Sequence, residues 1–90
     1  MTVTINVASY LQPHVDNKES VSVRGKTIRE CLDNLVTRYP GLKTMLFDKD
    51  GKLQDFVSVF AGGQIAYGNE LDQPVKDGDT LHVLYIIGGG

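Results

Sequence analysis

The residues best placed to do chemistry are Gly88, Gly89 and Gly90, which follow the apolar run Leu81-His82-Val83-Leu84-Tyr85-Ile86-Ile87 with no polar spacer. What they offer is a carboxylate at Gly90 on a tail without side chains. Glycine has no Cβ, so such a tail passes through channels too narrow for any other residue. Fully extended, three residues reach roughly 10 Å. That is enough to place Gly90 inside another protein's active site while the folded body stays outside. The Gly90 carboxylate is therefore the first candidate for a functional group. A frayed terminus without a role is the competing reading, because chain ends are commonly disordered.

The remaining reactive side chains form no constellation. Cys31 falls on the apolar stripe of an expected helix, where a thiol is inert core. His14 and His82 are too few and too far apart in sequence for a zinc site, so no metal site is expected. Asp48-Lys49-Asp50-Gly51 faintly echoes a calcium loop but lacks the further ligands and the distal Glu, and it reads as a turn. There is no Gly-x-x-x-x-Gly-Lys-[Ser/Thr] loop, no Gly-x-Gly-x-x-Gly after a strand and no Ser/His/Asp pattern. The chain reads as a protein cosubstrate or carrier rather than an enzyme.

Composition narrows the classes further. Ninety residues with 41% hydrophobic and 22% charged content suit one soluble globular domain. We expect a folded body over 1–87 and a flexible glycine tail over 88–90. Net charge is −2 with scattered Lys and Arg, which speaks against a nucleic-acid or membrane partner. No apolar run approaches spanning length. The start, Met1-Thr2-Val3-Thr4-Ile5, has neither the basic region nor the cleavage site of a secretory leader. A single cysteine cannot form an internal disulfide, and a cytoplasmic location is expected.

The elements that would position the tail are legible. Val3, Ile5 and Val7 alternate with Thr2, Thr4 and Asn6 as in a half-buried strand. Pro13 and the polar stretch from His14 to Lys18 break it. Val21 and Val23 mark a second strand, antiparallel to the first and ending at Gly25. Thr27-Ile28-Arg29-Glu30 fits a capping box, and Ile28, Cys31, Leu32, Leu35, Val36 and Tyr39 form one helical stripe ended by Pro40-Gly41. Leu42 to Phe47 suits a short extra helical turn. Phe56 to Phe60 reads as a third strand and Gln64-Ile65-Ala66 as a short fourth segment. Asp77-Gly78-Asp79 makes a turn before a last strand from Thr80 to Ile87.

Two strands, a helix across the sheet and further strands is the order of an α+β, β-grasp fold, with a mixed sheet packed on one main helix. Thr80-Leu81-His82, an apolar strand and Gly-Gly together resemble the end of ubiquitin. Ubiquitin carries arginines just before its glycines, where this chain has Tyr85-Ile86-Ile87. The chain is more similar to the ubiquitin-like sulfur carriers: the small subunit of molybdopterin synthase, the thiamine sulfur carrier and the carrier of a cysteine-biosynthesis route. That resemblance rests on the first strand, Leu11-Gln12-Pro13, the helix end Leu35 to Leu42, Asp50-Gly51, Asp77-Gly78-Asp79 and the glycine end. The segment from Leu42 to Leu53 points to the molybdopterin or cysteine type.

The resemblance implies a chemistry and a set of partners. An E1-like adenylyltransferase would use ATP and Mg²⁺ to make an acyl-adenylate at Gly90, so this chain would bind no cofactor of its own. A sulfur donor, persulfide or sulfide, would displace AMP and leave a thiocarboxylate for an acceptor biosynthetic enzyme. The alternative is a ubiquitin-like modifier joined through Gly90 to lysines, and a binding module with an inert tail is a third reading. By analogy with ubiquitin, Leu81, Val83 and Tyr85 face the helix, while His82, Leu84 and Ile86 form an exposed partner-binding patch. The other possibility is that both faces are covered, for example by the segment from Leu42 to Phe47.

Overall fold

The structure, a computed structural model, describes residues 2–55, 57–61, 64–65 and 70–85. Strand β1 (Thr2–Val7) buries Val3, Ile5 and Val7, as alternation requires. Strand β2 (Ser20–Arg24) runs antiparallel to it, with Val3 opposite Val23 and Ile5 opposite Val21. The helix α1 (Ile28–Arg38) follows, then a short α2 (Lys43–Leu46). Strands β3 (Val57–Ala61), β4 (Gln64–Ile65) and β5 (Thr80–Tyr85) complete a sheet of order β2-β1-β5-β3-β4. β5 lies parallel to β1, with Ile5 beside Leu81 and Val7 beside Val83, and antiparallel to β3. This is the mixed β-grasp sheet that the element order implied.

Stretches read as loops carry more structure than their residue types suggested. After β1 the chain turns through a 3-10 segment, Ser9–Val15, that buries Leu11 and Val15 in the core. Pro13 sits inside it, which a tight helical turn tolerates better than a long helix. Asp16 and Asn17 then take left-handed φ values of 58° and 60°, a region these residue types accept more readily than most. Two buried residues four apart show no resolvable period, so a sequence pattern could not separate this turn from a polar loop.

Helix α1 starts where Thr27 predicts, but its cap differs in one bond. The Thr27 hydroxyl accepts from the Glu30 N–H at 3.2 Å. The Glu30 carboxylate reaches past the cap and accepts from the Lys26 N–H at 3.3 Å. Thr27 is extended and bridged to Pro74: Ile28 N–H donates to the Gln73 carbonyl, and Val75 N–H donates to that of Lys26. The helix start is thus tied to the segment that feeds β5. Ile28, Cys31, Leu32 and Leu35 are buried, whereas Val36 and Tyr39 only partly join the core.

The turn before β5 locks the strand's start. Gly78, with φ of +89°, donates its N–H to the Thr2 carbonyl, while Thr2 N–H donates to an Asp77 carboxylate oxygen at 2.8 Å. A side chain at that φ is strained. One core cluster joins both sheet halves, α1, the 3-10 turn, and Leu42, Leu46 and Phe47.

Gly25 is buried at the bend between β2 and α1, and a Cβ there would lie 2.7 Å from both the backbone nitrogen and the sulfur of Cys31. Gly25→Ala is expected to destabilise the fold by about 1–3 kcal/mol, the usual cost of overpacking. Adding Cys31→Ala should restore only part of this in urea unfolding, because the backbone clash remains.

Candidate functional site

Strand β5 carries the candidate site because it leads directly to residues 86–90. Alternation splits it cleanly: Leu81 and Val83 are buried, while His82 and Leu84 are exposed. The register also places Phe60 opposite His82 and Arg24 opposite Thr2 on this face, and its remaining positions on β1 and β2 are short and polar. Thr4 lies beside Ser22 and Thr80, Asn6 beside Ser20 and His82, and Leu84 beside Ser58. Leu84 is 40% exposed on this face. Leaving that area in water forgoes part of the roughly 1.5–3 kcal/mol that burying a leucine returns. The segment 42–47 packs into the core with α1, so it does not cover Leu84.

His82 is held in place by its neighbour across the parallel pair. Its Nδ1 lies 3.3 Å from the Asn6 side-chain nitrogen. In that arrangement the Asn6 amide donates and the imidazole accepts, leaving Nε2 turned elsewhere. Ile86, Gly88, Gly89 and Gly90 lie outside the described residues.

A second exposed apolar residue escaped the sequence reading. Tyr10, 55% exposed, sits on the 3-10 turn after β1. Ala8 N–H donates to the Val83 carbonyl at 3.1 Å, so this turn flanks the outgoing end of β5. The two large exposed apolar residues among those described therefore come from elements that meet where the chain leaves the sheet. No local pattern singles out Tyr10, and only the pairing of β1 with β5 brings it to this end.

The other candidates resolve as structure. Cys31 is fully buried, and desolvation, with the Glu30 carboxylate adding to it, pushes the thiol above its ordinary value of 9.0. Asp48 turns its carboxylate onto its own loop, accepting from the N–H groups of Asp50 at 2.8 Å and Lys52 at 3.0 Å. No group of His, Cys, Asp and Glu among the described residues is arranged to hold a metal ion. No helix among them is long and apolar enough to cross a membrane.

Comparison with known proteins adds identity to this geometry. A family model described as the ThiS family matches residues 3–90. The sulfur carrier protein CysO of Mycobacterium tuberculosis is 30% identical over 93 residues spanning all of both chains. A chain in the crystal structure of the Amycolatopsis orientalis BexX/CysO complex superposes with a TM-score of 0.87 at 32% identity, over 98% of this chain and 99% of that one. SAMP1 of Haloferax volcanii superposes with a TM-score of 0.86 at 26% identity over the full length of both.

Burial of Cys31 has two measurable consequences. Its thiol should resist alkylation in the native protein at pH 8 and react fully once urea unfolds the chain. A thiol whose pKa is raised by folding keeps its proton when the unfolded chain has lost it. The unfolding free energy should therefore fall as pH rises past about 9, and Cys31→Ser should flatten that decline.

Proposed function

The chain belongs to the ThiS family, the ubiquitin-like sulfur carriers, and from that premise we propose that Gly90 is the sulfur-bearing residue. The observation that supports this reading is the reach of the family match, which runs through Gly88, Gly89 and Gly90. Like its relatives, the chain is a small carrier and not an enzyme in its own right.

In the proposed cycle a partner of the E1-like adenylyltransferase class transfers AMP from ATP to the Gly90 carboxylate, with Mg²⁺, and releases pyrophosphate. Sulfide attacks the acyl carbon and expels AMP, giving a thiocarboxylate with sulfur in place of one oxygen. When the donor is a persulfide, its outer sulfur expels AMP to give an acyl disulfide, and a second thiol of the donor then attacks the inner sulfur, releasing the same thiocarboxylate and leaving a disulfide on the donor. The thiocarboxylate then serves as the nucleophile in an acceptor enzyme, and the likeness to CysO favours a cysteine-type acceptor, with the molybdopterin type next. The CysO relative crystallised with BexX is a precedent for docking on a partner. On this chain the docking surface is Leu84 with His82 and Ile86, bordered by Tyr10, so that a partner seated there receives the tail directly.

A second reading rests on the likeness to SAMP1, a small archaeal modifier protein. In it the same activated Gly90 forms an isopeptide bond with a lysine amine. The two readings share the adenylate and diverge at the nucleophile.

Intact mass separates them. Incubation with ATP, Mg²⁺, sulfide and the activating enzyme from the same cell should add the mass difference between sulfur and oxygen, and deleting Gly90 should abolish the gain. An unchanged mass with every such enzyme overturns the carrier reading. Lysine conjugates bearing a Gly-Gly remnant would put the modifier first. Leu84→Asp should slow the mass gain by about tenfold or more, the effect of charging a buried contact, while its urea midpoint stays within error of the parent.

A further inference from the structure

A second site lies where the free edge of β2 meets α1. A cleft of about 400 Å³ is framed there by Thr2, Ser22, Val23, Arg24, Asn34 and Arg38. β2 is the edge strand of the sheet. Val7 N–H donates to the Glu19 carbonyl, and Ile5 and Val3 continue that register against Val21 and Val23. The backbone groups of Ser22 and Arg24 therefore point away from β1, toward the cleft.

Those outward groups are not treated alike. The Ser22 carbonyl accepts from the Arg38 guanidinium at 3.3 Å, and the Arg24 carbonyl accepts from the Asn34 side-chain amide. Helix side chains thus cover the acceptors of the edge, which blocks addition of another strand. The outward N–H groups of Ser22 and Arg24 have no partner among the described residues, and neither guanidinium forms an ion pair among them. No carboxylate is among the residues that frame the cleft, and Asp77 is engaged with the Thr2 N–H.

What remains is a cleft whose framing residues carry donors: two outward backbone N–H groups, two guanidiniums and the hydroxyls of Thr2 and Ser22. Such a surface selects an oxyanion, and paired arginines suit phosphate in particular because each planar fork spans two oxygens. We propose that this cleft binds a phosphate group, either free or carried by a nucleotide. It lies at the Thr2 end of β1, whereas the tail leaves at the Val7 end. A bound phosphate would leave the docking face of β5 open.

Amide NMR of the full chain tests this with inorganic phosphate, with AMP, and with sodium chloride at matched ionic strength. The expected result is a saturable shift of the Ser22 and Arg24 amides with phosphate or AMP and none with chloride. A tighter constant for AMP identifies a nucleotide, and equal constants identify the phosphate group alone. Arg24→Gln and Arg38→Gln should each weaken binding by about tenfold. Arg24→Gln is the cleaner variant, since the Arg24 side chain makes no bond within the described protein and its loss leaves the edge capped. No saturable shift with phosphate or AMP would overturn the proposal. So would a shift insensitive to Arg24→Gln, or β2 shifts seen only with an acidic peptide.

Discussion

β1 and β5 come from opposite ends of the chain, yet they lie side by side and parallel in the middle of the sheet. Neither strand has a complete set of backbone partners without the other, and an unpaired buried peptide group costs about 1–3 kcal/mol. Parallel strands cannot be joined by a tight turn; the chain between them must cross one face of the sheet. That demand is met by α1, whose apolar stripe covers the inward residues of both strands. The Thr27–Pro74 bridge and the Asp77–Gly78 turn hold the two ends of the crossover in register.

The same pairing sorts residues into two populations. Everything inward is apolar, and no polar side chain is buried among the described residues. Along β1, β2 and the start of β5 the outward positions are mostly Ser, Thr, Asn and His, with Arg24 at the end of β2. Leu84 breaks that rule, and the pairing of Ala8 with Val83 brings Tyr10 to the same end. Among the side chains described, the exposed large apolar ones thus fall at the exit of β5, a placement expected of a surface that meets a partner.

Much of this was legible before the structure. Period-two alternation placed β1, β2 and β5 and split β5 into two sets, and the analogy with ubiquitin turned Leu81 and Val83 inward and His82 and Leu84 outward, as found. The Thr27 cap marked the first turn of α1. What escaped were features that depend on distant chain segments. The Glu30 carboxylate accepts from Lys26 N–H, at a start of α1 that is also bridged to distant Pro74. Leu11 and Val15 enter the core from a turn too short to show a period. Tyr10 gains its place only from the parallel pairing, which no local pattern encodes. The expectations for Ile86 and for the glycines fall on residues outside those described.

The central position of β5 also bears on how the molecule comes into being. Its neighbours β1 and β3 are synthesised first and cannot close the sheet, because the slot between them belongs to a strand that leaves the ribosome later. Contacts of such long sequence separation form slowly, and the exposed edges meanwhile invite mispairing. The gain lies in fidelity. A prematurely terminated polypeptide lacks the strand that fills the slot and stays open to proteolysis. A chain that has reached the compact state has therefore already been translated through the segment leading to its glycines, and folding itself acts as the check that a carrier body is never displayed without the strand that bears the tail.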